Sequence, residues 1–138
     1  IMSFASYNLW QPWQETSPLL AELFVDYEPG IHISQVQMQS GVTGINLPRI
    51  YSVLKQSKDQ DPEASFIKKE LPELSDERSD NIHRATMDVD YPNKIVDLHS
   101  SSANARDKIW GIRKSNQFKK IAKEVYIKHG SRMRQSRR

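Results

Sequence analysis

Twelve lysines and arginines fall within residues 103–138, against only Asp107 and Glu124. Ammonium and guanidinium groups at that density pair well with phosphates, and each neutralised phosphate releases condensed counterion. Arg113, Lys114, Lys119, Lys120, Lys123 and Lys128 lie in a stretch of helical periodicity, and Arg132, Arg134, Arg137 and Arg138 follow in a tail. These ten are the predicted nucleic-acid-contacting residues, the tail tracking a backbone or entering a minor groove. Their spacing matches no fixed base-reading code, so DNA and RNA are not distinguished. A nuclear import signal and an acidic protein surface are the other readings of the same charge.

Other reactive side chains are scattered. Asp88 and Asp90 share one face of an extended segment, flanked by Asp80 and Asp97. Such a pair could do acid–base or magnesium chemistry, but in an exposed linker no burial is available to tune it. His32, His83, His99 and His129 form no i, i+4 pair, so no metal is predicted. The absence of cysteine removes disulfides, thiolate zinc sites and a thiol nucleophile together. No Gly-x-Ser-x-Gly elbow occurs, and Gly41-Val-Thr-Gly44 lacks the Lys and Ser/Thr of a phosphate loop. The expectation is therefore no enzyme, no cofactor and no catalytic residue.

Large aromatics gather at the other end. Phe4, Tyr7, Trp10 and Trp13 surround Pro12, which forbids one continuous helix and predicts an extended arm. Tyr7, Trp10, Trp13, Leu20, Phe24 and Tyr51 are the predicted partner-binding residues, since Trp and Tyr dominate interface energetics. Ser17-Pro18 reads as a helix start with Leu19, Leu20, Leu23, Phe24 and Tyr27 in a stripe, stopped by Pro29-Gly30. Ile31–Met38 begins as a strand-like alternation whose phase slips after Ile33.

Further helices are expected from Pro48 through about Lys58 and from Asp61 to Pro72, the latter with Phe66 and Ile67 inward. A cap at Asn104, a break at Ser115-Asn116, and Phe118, Ile121, Ala122 and Val125 at i, i+3, i+4, i+7 predict a helix–break–helix ending near Gly130. Trp110 followed by Phe118-Lys119-Lys120-Ile121-Ala122 resembles the small three-helix DNA-binding units built on a tryptophan core. The repeated tryptophans of those units are missing, and no functional residue is carried across.

The fold class expected is mainly α: a small irregular helical domain with an extended N-terminal arm, an acidic linker and a basic C-terminal helical arm. The divisions are 1–72 for protein docking, 73–102 for the acidic, partly extended linker, and 103–138 for the basic arm. Only 37% of residues are hydrophobic and mean hydropathy is −0.70, which predicts a thin core partly covered by another protein. Ile1-Met2-Ser3-Phe4 has no basic, then apolar, leader pattern, and no apolar run spans a bilayer. These features predict a non-enzymatic subunit of a larger nuclear or ribonucleoprotein complex, intracellular and nuclear. Its partners would be one or more protein subunits and nucleic acid, without a membrane. The alternative is a protein-only adaptor whose basic tail meets an acidic protein surface.

Overall fold

A computed structural model describes residues 1–43, 45–87 and 90–130 and is helical, with no strand among the described residues. The mainly α class follows directly. No described helix is long and apolar enough to cross a membrane. Contacts divide the chain into two compact units, residues 1–50 together with the stretch from Ser100 onward, and residues 51–99.

In the first unit the chain starts with a π-helical turn, Phe4–Asn8, closed by the Leu9 amide on the Phe4 carbonyl at 3.0 Å. The predicted extended arm is thus coiled at its start, and Pro12 has extended backbone immediately before α1, Trp13–Leu23, begins. Pro18 lies inside α1 rather than opening it. Ser17, expected as the cap, instead contacts His32: its hydroxyl and carbonyl oxygens each lie 3.1 Å from Nε2. A carbonyl only accepts, so Nε2 carries the proton and the buried imidazole ties α1 to the next helix.

That next helix, α2, Pro29–Gln39, replaces the expected strand. Pro29 occupies its first turn, where a missing N–H costs nothing, and the Glu28 carboxylate accepts from the Ile31 amide at 2.6 Å. Proline and glycine here start a helix instead of ending one, and the alternation at Ile31-His32-Ile33 was too short to decide the period. Met2, Leu20 and Val36 form the buried cluster, with Trp13 against it.

Tyr7 is the largest fully buried side chain, 2% exposed, and its hydroxyl has no hydrogen-bond partner of good geometry. Burial raises its pKa, opposed by the nearby Arg49 amide and the Arg113 charge. Gly41 lies against it with φ +71°, and a Cβ there would sit 2.6 Å from the phenol oxygen.

Two long helices complete this unit, α6, Leu98–Lys114, and α7, Asn116–His129, separated by Ser115, whose hydroxyl accepts from the Phe118 amide at 3.1 Å. The break and the recapping are where the sequence predicts them; α6 begins well before the expected cap at Asn104. Asn8 Nδ2 donates to Ser101 Oγ and Ser102 Oγ, both at 2.9 Å, and Ala105 is buried.

The second unit holds α3, Val53–Gln60, α4, Ser65–Glu70, a 3₁₀ turn at Pro72–Leu74, and α5, Ser79–Arg84. The helix expected from Pro48 starts later because Ser52 is its cap, accepting from the Lys55 amide. Ala64, Leu74 and Ile82 form the core, flanked by Ile67, Leu71, Met87 and Tyr91. Phe66, expected inward, is 66% exposed: with Ala64 left-handed, α4 starts four residues later than the expected Asp61, and Ile67 rather than Phe66 packs on the core. His83 Nε2 donates to the Pro62 carbonyl at 3.0 Å, so Nδ1 accepts from Ser57 Oγ at 2.7 Å. Asp88 lies outside the described residues.

Two outcomes follow. Gly41→Ala is expected to destabilise the chain by about 1–3 kcal/mol in urea unfolding, through left-handed strain and overpacking on the phenol. Tyr7→Phe, which removes the unpartnered hydroxyl, should cost little alone and recover part of that loss. Asp61 caps α4, its carboxylate accepting from Ser65 N at 2.8 Å and Ile67 N at 3.1 Å. Burial would raise its pKa, but the amides of Ile67, Phe66 and Ser65, joined by His83 once that ring is protonated, outweigh it and hold it below the ordinary value. A lowered folded pKa means the contribution is complete above the ordinary aspartate range and lost as pH falls through the folded value. Asp61→Asn should therefore flatten the acid limb of a urea-midpoint series below about pH 4.

Candidate functional site

The turn between α1 and α2 gathers aromatic edges beside carboxylates. The Phe24 ring meets His32 edge-on at 5.9 Å between centroids, and Tyr27 meets it at 5.1 Å. Backbone breaks out of α1 at Phe24, so Phe24, Val25 and Tyr27 project at the surface instead of continuing an inward stripe. Asp26 and Glu28 lie in the same turn, and neither makes an ion pair among the described residues. The corner thus offers an apolar wall and hydrogen-bond acceptors, whose charge no ion pair among the described residues neutralises. It can take a planar ligand that donates hydrogen bonds; it repels phosphate.

A second feature of the same unit is a cleft of about 420 Å³. Trp10, Trp13 and Phe118 supply aromatic walls, and Arg113 a guanidinium. Trp10 has φ +54°, a left-handed conformation that costs a bulky residue about 1–3 kcal/mol. Its ring is covered by Lys108 Nζ at 4.5 Å from the centroid. Arg113 donates to the Asn46 carbonyl at 3.3 Å and lies 4.8 Å from the Phe118 centroid.

The structure distributes the predicted residues unevenly. Tyr7 and Leu20 are interior, consumed by the core, and present nothing to a partner as placed. Trp10, Phe24 and Tyr51 are exposed, and Trp13 is half-buried. Of the basic residues, Arg113 is half-buried at the cleft, Lys114 ends α6, and Lys119, Lys120, Lys123 and Lys128 are exposed on α7. Arg132, Arg134, Arg137 and Arg138 lie outside the described residues. Trp10 and Arg113, assigned to different partners on sequence grounds, line one cleft. The sequence reading missed Asp26, Glu28, His32 and Lys108; the Glu28-Pro29-Gly30 start signal was available, whereas Asp26 looks like any solvated acid. Among the described residues, no group of three His, Cys, Asp or Glu could hold a metal ion.

Residues 1–111 match the family described as the FAD binding domain of DNA photolyase. A cryptochrome DASH of Gloeobacter violaceus is 26% identical over 117 residues, covering 75% of this chain and 23% of that protein. A deoxyribodipyrimidine photo-lyase of Buchnera aphidicola subsp. Acyrthosiphon pisum is 30% identical over 108 residues, covering 72% and 22%. Among solved structures, the archaeal photolyase from Sulfolobus tokodaii, crystallised with two FAD molecules, is similar with a TM-score of 0.72 and 27% identity. That likeness covers 80% of this chain and 26% of the other. The chain spans about a quarter of the length of these relatives. These findings overturn the expected non-enzymatic subunit of a nuclear or ribonucleoprotein complex, its protein-only adaptor alternative, and the scaffold role with them. The aromatics and thin core that suggested a docking subunit belong to a segment with the fold of a flavin-binding domain.

Proposed function

Because this chain belongs to the family of photolyase FAD-binding domains, we propose that it forms part of the flavin-binding helical domain of a light-driven DNA-repair enzyme. The observation that carries this reading is the match over residues 1–111, joined to a fold likeness of 0.72 in TM-score. The acceptors at the α1–α2 corner fit one part of the cofactor. A flavin ring and its ribityl chain donate hydrogen bonds, and Asp26 and Glu28 accept them. Phe24 and Tyr27 keep water from the ring edge, and His32, held by Ser17, fixes the angle at which α2 leaves the turn. The pyrophosphate needs cations, which this corner lacks, so other residues meet it. Bound FAD supplies light absorption and one-electron transfer.

Substrate DNA is engaged, in this reading, by the exposed lysines of α7 with Lys114, which pair with phosphates and read no bases. In this reading repair chemistry takes the place of the expected non-enzymatic role. A photoreceptor without repair is the second reading, favoured by the cryptochromes among the relatives.

The test uses the purified protein carrying this sequence, loaded with FAD and given ultraviolet-damaged duplex DNA in blue light or darkness. Light-dependent reversal of pyrimidine dimers is expected; flavin binding without reversal would favour the photoreceptor, and no flavin binding would defeat both. Asp26→Asn should weaken FAD about 10–100-fold in a flavin-fluorescence titration, the cost of one charge-assisted hydrogen bond. Alanine at Lys119, Lys120, Lys123 and Lys128 together should weaken undamaged duplex DNA and reduce the slope of log affinity against log salt by about 3–4.

A further inference from the structure

The Trp10 cleft is not accounted for by the flavin reading. Ile112, Arg113 and Phe118 line it, and all three lie beyond residue 111, where the family match ends. Its chemistry also differs from that of the corner, being aromatic and cationic rather than aromatic and acidic.

Three independent observations converge on it. Trp10 is held in a left-handed conformation that a tryptophan adopts only under constraint, yet its ring remains 47% exposed rather than filling the core. Lys108 sits over that ring. Arg113 is half-buried beside the Asn46 carbonyl and the rings of Phe118 and Trp110, and neither it nor Lys108 makes an ion pair with a carboxylate among the described residues. A partly desolvated guanidinium without a counter-charge favours an anionic ligand. Exposed indole beside it favours a flat ring, since aromatic platforms stack any base by its π-face. The volume of about 420 Å³ lies in the range of ligand clefts, about 300–1,000 Å³.

We propose that this cleft is a nucleotide site, taking the base against Trp10 and Trp13 and the phosphate on Arg113, with Lys108 at the rim. The ligand is defined by its chemistry, an aromatic base joined to a phosphate, which a free mononucleotide and a nucleotide within a single strand both supply. The site stands apart from the corner of Asp26 and Glu28 and does not rest on the flavin reading.

Calorimetric titration of the purified protein with AMP, adenosine, inorganic phosphate and a short oligothymidylate tests it. AMP is expected to bind, with adenosine and phosphate each at least tenfold weaker. Trp10→Gly is the informative variant, because glycine adopts φ +54° freely and the ring is lost without cost to the fold. It should weaken AMP at least tenfold with unchanged helical circular dichroism, and Arg113→Gln should do the same. AMP bound more tightly than the oligonucleotide identifies a free-nucleotide site, and the reverse order identifies a strand as the source. Asp26→Asn should leave AMP affinity unchanged, which separates this site from the flavin. Absence of AMP and oligonucleotide binding, or binding that neither Trp10→Gly nor Arg113→Gln alters, overturns the proposal.

Discussion

Burying the phenol of Tyr7 is the constraint from which the first unit's architecture follows. A π-turn sets Ala5, Ser6, Tyr7 and Asn8 inward as four consecutive buried residues, which neither a strand nor a regular surface helix would do. The chain after α2 must then pass close over the ring, and only a residue without a Cβ can, so Gly41 stands there with positive φ. The return on the other side is equally tight. The Gln11 amide bonds the Ala5 carbonyl at 2.9 Å, and the reversal between them includes the left-handed Trp10. Strain at Trp10 and the missing Cβ at Gly41 thus flank one buried ring. The cleft at the surface lies between them, lined by both.

A thin core leaves large apolar side chains at the surface of the first unit. Leu19, Leu23, Phe24, Val25 and Ile31 are all exposed around α1 and the start of α2, a concentration of apolar surface unusual for a self-sufficient domain. The relatives are about four times as long as the matched part. Composition registers the thin core and the exposed apolar face together. It carries no sign of a flavin-binding fold, which rests on the order of residues rather than on their totals.

Local physics was legible where one residue decides the matter. Ser115 recaps α7 because a serine hydroxyl can take an orphan amide, and Gly130 follows the helix end, both readable from residue type and spacing. The α2 helix was not, because Pro29-Gly30 has two opposite meanings and the choice depends on whether Glu28 turns its carboxylate back onto the Ile31 amide. Pro18 misled in the opposite direction, since α1 tolerates it one turn inside. The candidate flavin wall was illegible for a different reason. Asp26 and Glu28 acquire meaning only from the aromatics that the break at Phe24 turns outward, and a helical wheel drawn through Tyr27 puts those rings inside. Trp10 and Arg113 were each singled out, but a hundred-residue separation gave no sign that they meet.

Electrostatics argues that corner and cleft serve different groups. At 4 Å two like charges repel by about 1 kcal/mol in water and about 4 kcal/mol at the effective dielectric of a protein surface. Asp26 and Glu28 together would therefore oppose a pyrophosphate by an amount comparable to what a good hydrogen bond provides, while accepting from a ring N–H or a sugar hydroxyl at no such penalty. The cleft reverses the sign. Arg113 and Lys108 draw phosphate, and none of the described residues lining the cleft carries a carboxylate to compete. A flavin held at the corner would therefore need its phosphates met by cations other than groups paired with Asp26 and Glu28. The positive charge of Arg113 and Lys108 at the Trp10 cleft suits an anionic ligand instead.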